Sequence, residues 1–329
     1  MSWEPVLVAL IGLALLFDFL NGIHDSSNIV ATMISSRAFS PRFALGVTAL
    51  AEFAGPFIFG VAVATTIGDK VAVSSAITMN VLLAALLSAI FWNLLTWFLG
   101  IPSSSSHALI GGLIGAVALG AGVDAIKLEG VNTVLLALFL SPIIGLVIGF
   151  LFTRLIFFLA RSASPKINTF FQKSQLVTAI ALALSHGTND AQKTMGVITL
   201  GLVTAGVLPS FSVPLWVVAA SAGAIALGTA FGGWRLIKTL GTKFYKIRPV
   251  HGFSAQLTSA TVILVASAVG GPVSTTQVVS SAIMGAGSAQ RVSMVRWGVA
   301  KDILVAWVIT IPATAGVAAG IFWVLERLL

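Results

Sequence analysis

Long apolar runs separated by short polar interruptions dominate this chain. One run, Val131–Leu159, alone exceeds the ~20 apolar residues that a helix needs to cross a bilayer. The runs therefore predict membrane-spanning helices. Polar residues intrude on them at four places. Residues 21–28 read Asn-Gly-Ile-His-Asp-Ser-Ser-Asn inside the first greasy segment, and residues 186–193 read His-Gly-Thr-Asn-Asp-Ala-Gln-Lys inside a later one. Two Ser/Thr stretches, each opened by a proline, lie at 102–106 and 272–276. A Gly-x-x-Asp sequence at membrane depth predicts a helix break, whose freed backbone groups must meet something polar. Two such breaks in corresponding positions point to a transporter's substrate site.

The interruptions repeat in order. Gly22 and Asp25 recur, with the same spacing, as Gly187 and Asp190. Pro102 recurs at nearly the same offset as Pro272, with Gly115-Ala116 and Gly285-Ala286 in the register of the prolines. The chain thus reads as one membrane transporter domain, residues 1–329, made of repeats 1–160 and 175–329 joined by the polar linker 161–174. Charge in the loops sets orientation. Arg37 and Arg42 follow the first break, whereas the next two loops (Asp69 with Lys70; Asp124, Lys127 and Glu129) have no basic excess. In the second repeat the loop near Ala205–Pro214 is uncharged. The next two carry Arg235, Lys238, Lys243, Lys246 and Arg248, then Arg291 and Arg296. Lys/Arg-rich loops stay cytoplasmic, so equivalent loops are expected on opposite sides of the membrane. The count closes if Ser75–Leu99 with His107–Ala121, and Phe253–Val269 with Gln277–Gly287, are hairpins dipping inward. The expected fold is an all-α polytopic membrane protein: an inverted-topology repeat with broken helices and two re-entrant helical hairpins. Both termini are expected outside the cytoplasmic (inner) membrane and the linker inside.

Composition supports the bilayer and removes other classes. Of 329 residues, 57% are hydrophobic and 9% charged, against about 25% charged in a soluble domain; the mean hydropathy is +1.05. The net charge of +8 sits in a few short loops, which positive-inside topology explains without nucleic acid. With no cysteine, disulfides, thiol catalysis and thiolate metal sites are excluded. The N-terminal segment lacks a basic n-region and a small-residue cleavage site and carries Asp18, so it is expected to be retained. Trp3 and Trp323 suit interfacial anchoring.

The interruptions carry the candidate chemistry. A proline followed by hydroxyl residues suits a helix start, where free N–H groups and the helix dipole make an anion cradle. Ser104, Ser105, Ser106, Ser274, Thr275 and Thr276 form two such ends, suited to a tetrahedral oxyanion; Ser and Thr are equally ordinary N-caps. Asp25 and Asp190 either cap half-helices or, with Asn28, Asn189 and nearby carbonyls, hold a coupling cation; they could also accept the proton of a hydrogen-phosphate. Glu52, inside the segment Thr48–Thr66, is either a proton or sodium site or the partner of a base such as Lys193. Lys193, one turn after Asp190, either neutralises it or lies over the anion. Asp18 shares the face of Asp25, yet the repeat places Ala183 opposite it, which weakens a substrate role. His24, His107 and His186 are expected to hydrogen-bond at the breaks and tips, and no transition-metal site is expected. Gly111, Gly112, Gly115, Gly285 and Gly287 suit close helix approach in lipid.

These motifs together resemble the inorganic phosphate transporter (PiT) family over nearly the whole chain. Asn21–Thr32 (NGIHDSSNIVAT), Ser185–Gly196 (SHGTNDAQKTMG), Pro102–His107 (PSSSSH) and Pro272–Gln277 (PVSTTQ) carry the resemblance. It implies an inverted repeat with two hairpins and phosphate symport with sodium or protons. It implies phosphate contacts from Ser104–Ser106 and Ser274–Thr276, with Asp25 and Asp190 close by, and cation ligands from Asn21, Asp25, Asn28, Asn189 and Asp190. His24, Gln277 and Gln256 depart from the family pattern, and the last two bear on the coupling ion. With no large central loop, the chain is expected to be a short, bacterial-type member. No enzymatic role is expected, because Ser106 and His107 are neighbours at a helix start without general-base geometry. Phosphate, a sodium or proton coupling ion and lipid are the expected partners, with no other cofactor; the sequence leaves a homo-oligomer open and says almost nothing of oligomeric state. A sulfate permease of the same family and a passive anion channel are the alternatives.

Overall fold

A computed structural model describes residues 5–70, 72–234, 236–238 and 245–328. Trp3, Arg235 and Lys243 lie outside the described residues. The described chain is all-helical: α1 (Pro5–Ser35), α2 (Pro41–Phe59), α3 (Ala62–Lys70), α4 (Met79–Leu99), α5 (Ser105–Gly120), α6 (Leu128–Leu159), α7 (Ile167–Thr204), α8 (Leu215–Phe231), α9 (Pro249–Ala268), α10 (Thr275–Gln290) and α11 (Trp297–Leu328). Single 3-10 turns precede both α6, at Val123–Ala125, and α11, at Val292–Met294. Six helices (α1, α2, α4, α6, α9 and α11) are long and apolar enough to cross a membrane. The protein is a multi-pass membrane protein.

The expected helix breaks are absent. α1 runs unbroken through residues 21–28 and α7 through 186–193. Glycine there has a different use. A Cβ on Gly22 would lie 2.1 Å from the Ile225 carbonyl oxygen of α8, and one on Gly187 would lie 2.2 Å from the Glu52 carbonyl oxygen of α2. The missing side chain lets two backbones touch, as small residues do between helices in lipid. The segment expected as Thr48–Thr66 is the one that breaks, at Gly60 (φ 80°), between α2 and α3. The expected linker 161–174 is shorter than its polar composition suggests, because α7 already starts at Ile167.

Polar helices survive here because protein surrounds them. Every residue of α7 from Ser185 to Leu202 is buried, although this helix is not among the six apolar spans. α1 and α7 run antiparallel: Asp18 meets Thr194 (2.7 Å) and Asp25 meets His186. One apolar cluster gathers Leu7–Phe17 with Ala191–Leu202, and a second gathers Ile29–Met33 with Ala179–Ala183. The buried polar residues of both helices lie between these two cores.

The helix pairs α4–α5 and α9–α10 pack as helix–turn–helix units. Each short helix also packs closely on a long one, α5 on α11 and α10 on α6. A Cβ on Gly115 would meet Ala315 O at 2.1 Å, and one on Gly285 would meet Leu146 O at 2.2 Å. Gln192 anchors α3: its Oε1 accepts from Val63 N (2.7 Å) and Ala64 N (3.2 Å), and its Nε2 donates to Gly60 O (2.6 Å). These are the orphan donors of a helix start. Gln192→Leu keeps the bulk but strands both N–H groups, at about 1–3 kcal/mol each. A clear drop in melting temperature in detergent is the expected result.

Candidate functional site

Both Pro-Ser tips fold as helix starts. Ser104 Oγ accepts from His107 N (3.2 Å) and Ser274 Oγ from Gln277 N (3.3 Å), so these two serines are N-caps. The next two N–H groups of each helix have no carbonyl to reach within it. The two tips meet: Ser106 Oγ donates to Val273 O (3.0 Å), and Gln277 Nε2 lies 3.4 Å from His107 Nε2. His107 Nδ1 is 2.7 Å from Ser104 Oγ, and Trp307 Nε1 donates to Pro102 O (3.1 Å), which ties the first tip to α11. Gln277 thus fills the space opposite His107, its counterpart in the first tip.

The second tip reaches both aspartates. Thr276 Oγ1 donates to Asp25 Oδ1 (2.7 Å) and Thr275 Oγ1 to Asp190 Oδ2 (2.8 Å). Asn28 Nδ2 donates to Asp25 Oδ1 (2.7 Å) and contacts Thr276 Oγ1 (3.0 Å). Asn189, in the amide orientation that satisfies its neighbours, donates to Val273 O (3.1 Å) and Asp190 Oδ1 (3.2 Å). Of the expected residues, Asp25, Asn28, Asn189, Asp190, Thr275 and Thr276 thus form one connected group. Ser104 and Ser106 bond within and between the tips rather than to a carboxylate. Ser105 is buried beside them and makes no hydrogen bond to another described side chain. Asn21 is buried with neither amide atom partnered among the described residues.

His186 is the piece that sequence reasoning underrated. It does not serve a helix break. Its Nδ1 contacts Glu52 Oε1, and its Nε2 faces Asp190 Oδ2 (3.1 Å) and Asp25 Oδ2 (3.6 Å). The imidazole therefore spans from α2 to the aspartate pair, and Glu52 sits behind the ring. Glu52 pairs with His186, not with Lys193. Lys193 Nζ contacts Asp190 Oδ1 instead, with both side chains buried. The His186–Asp190 spacing of i, i+4 on one helix face was the available signal. One ligand atom each from Asp25, His186 and Asp190 falls within 4.8 Å of the others, close enough to share one cation. His24 Nδ1 lies 3.5 Å from Asp25 Oδ1. Asp18 accepts from Thr194 (2.7 Å) and makes no hydrogen bond to this group among the described residues. Gln256 bridges Thr178 of α7 (2.6 Å) and Thr32 near the end of α1 (2.9 Å).

The combination is chemically specific. Two carboxylates from antiparallel helices are held by hydroxyls at a helix N-terminus, with a second N-terminus alongside. Positive helix ends attract an oxyanion, and carboxylates at membrane depth require a cation, a proton or a hydrogen-bond donor.

Known proteins agree with this chemistry. The model of the Phosphate transporter family matches residues 21–318. A Rhizobium meliloti protein named "Probable low-affinity inorganic phosphate transporter" is 46% identical over 96% of this chain and 95% of its own length. A Bacillus subtilis protein of the same name is 46% identical over 96% of both. These relatives are transporters rather than enzymes. A solved structure, "The sodium-dependent phosphate transporter", superposes with a TM-score of 0.90 at 24% identity, over 98% of this chain and 100% of that one. The chain is a short member of the phosphate transporter family.

Proposed function

We propose that the protein is a secondary active symporter that imports inorganic phosphate across the cytoplasmic membrane together with a cation. The observation that carries this reading is the joining of Asp25 and Asp190 through the α10 tip by Thr276 and Thr275. Phosphate keeps a proton near neutral pH and can donate it to a carboxylate, which sulfate cannot. The anion's site is at the meeting tips, with Ser104–Ser106 and Ser274–Thr276 lining it. The cation's site is at Asp25 and Asp190, with Asn21, Asn28, Asn189 and Glu52 around it. Import of each negative charge works against about 2.3 kcal/mol per 100 mV, so a coupling cation is needed.

The same reading takes residues 1–160 and 175–329 as inverted repeats, α4–α5 and α9–α10 as re-entrant hairpins, and both termini as external. Supporting it are the antiparallel course of α1 and α7 and the matching order of elements before and after residue 160.

Labelled phosphate uptake into proteoliposomes, with sodium and proton gradients imposed separately, is the test. Sodium comes first because the fold neighbour is named sodium-dependent. Gradient-driven uptake that excess sulfate barely reduces is expected. Uptake of sulfate undiminished by excess phosphate would overturn the substrate, and flux indifferent to both gradients would make the protein a channel.

A further inference from the structure

Asp25 and Asp190 occupy equivalent places in the two repeats, and each is followed one helical turn later by a donor to its carboxylate. For Asp25 the donor is Asn28, whose Nδ2 lies 2.7 Å from Oδ1. For Asp190 it is Lys193, whose Nζ contacts Oδ1. Asn28 and Lys193 are thus counterparts at the same offset as the aspartates. Each aspartate also accepts one hydroxyl from the same tip, Thr276 for Asp25 and Thr275 for Asp190. The two sites therefore share this pair of donors, and within it they differ by one charge; beside it, His24 Nδ1 stands 3.5 Å from Asp25 where its counterpart Asn189 donates to Asp190 Oδ1 (3.2 Å). An amide satisfies a lone pair but leaves the carboxylate's charge in place. An ammonium removes it.

The neighbouring groups preserve this difference. His186 Nε2 faces both aspartates, while its other nitrogen is taken by Glu52, so that ring and carboxylate pair with each other. His24 stands 3.5 Å from Asp25. Asp18 bonds to Thr194. Lys193 is 1% exposed and Asp190 0%, so in this conformation water does not screen the ammonium from its carboxylate. Breaking such a buried pair is strongly unfavourable.

We propose that Lys193 is a resident cation: at Asp190 it takes the place that a transported cation takes at Asp25. The inference rests on the symport reading above and sharpens it. Only the Asp25 half needs an exchangeable cation, so the chain carries one coupling cation fewer than a site with two amide-partnered aspartates. Lys193 thereby sets the stoichiometry of transport, and Asn28 marks where the travelling ion binds.

The test compares the wild type with Lys193→Asn, which gives the second half the donor of the first, in proteoliposomes held at set phosphate and cation gradients. The reversal potential of phosphate flux gives cations moved per phosphate. The expected result is one more cation per phosphate in Lys193→Asn, with a steeper dependence of uptake on the driving cation. An unchanged stoichiometry overturns the inference, as does a large rise in phosphate KM with the same cation dependence, since the lysine would then be an anion ligand. A second readout needs no transport. Sodium titrated into purified protein should raise the melting temperature of Lys193→Asn more steeply than that of the wild type. Equal slopes overturn the inference. A wild type that takes up no phosphate under either gradient would instead defeat the symport reading, and the melting comparison would still decide the role of Lys193.

Discussion

Asp190→Asn is expected to abolish phosphate uptake and also to weaken the fold by about 3–5 kcal/mol, whereas Asp25→Asn is expected to abolish uptake with little loss of stability. The difference lies in what each carboxylate leaves behind. Removing the charge of Asp190 strands the buried Lys193 ammonium, whose one ion pair among the described residues is with Asp190. Removing the charge of Asp25 leaves Asn28 Nδ2 and Thr276 Oγ1, each of which can turn toward an amide oxygen, and leaves His186 its closer contacts to Glu52 and Asp190. Uptake of labelled phosphate and thermal unfolding in detergent, measured on the same preparations, separate the two effects. Asp190→Asn combined with Lys193→Met should recover most of the melting temperature and none of the uptake. Near-normal uptake in both single variants would remove the aspartates from the site.

Gly187→Val should be almost as damaging, by a different route. A Cβ there would lie 2.2 Å from the Glu52 carbonyl oxygen, and backbone cannot swing aside as a side chain can. α2 must move outward, which costs about 1–3 kcal/mol as overpacking and draws the Glu52 carboxylate away from His186. Uptake should fall at least about tenfold, a barrier change of about 1.4 kcal/mol, while a fluorescence melting curve shifts downward. Gly223→Ala is the control. Nothing lies within 4 Å of a Cβ at that position in α8, so stability should stay within about 0.5 kcal/mol of wild type. A Gly187→Val protein as stable and active as the control would show that the helices can separate without harm.

What could be read in the chain, and what could not, follows from the range of the interactions. The Pro-Ser tips were legible because a helix start is local: proline, hydroxyl and free N–H groups lie within a few residues. The all-helical, membrane-spanning character was legible because apolar length alone decides it. The family was legible because four motifs carry its residues in order. The glycines misled. In lipid a Gly-x-x-Asp run suits either an opened helix or a close crossing, and only the partner backbone tells which applies. That partner is Ile225 for Gly22 and Glu52 for Gly187, both distant in sequence. The partner of Glu52 was hidden for the same reason. Lys193 had the right charge, but His186 had the right place. Gln192 carried no signal, because its three contacts serve the start of α3 from the other half of the chain.

The packing of the short helices sets which parts can move together. α10 is seated on α6 through the Gly285 contact, and α5 on α11 through the Gly115 contact. The indole of Trp307 further fastens the first tip to α11. Each short helix is thus clamped to a long helix from the other half of the chain. Any rocking motion that exposes the anion to one side and then the other has to carry these clamped pairs as units. The mechanical bodies of this transporter are interleaved along the sequence, and a boundary drawn at the α6–α7 turn would cut through both of them.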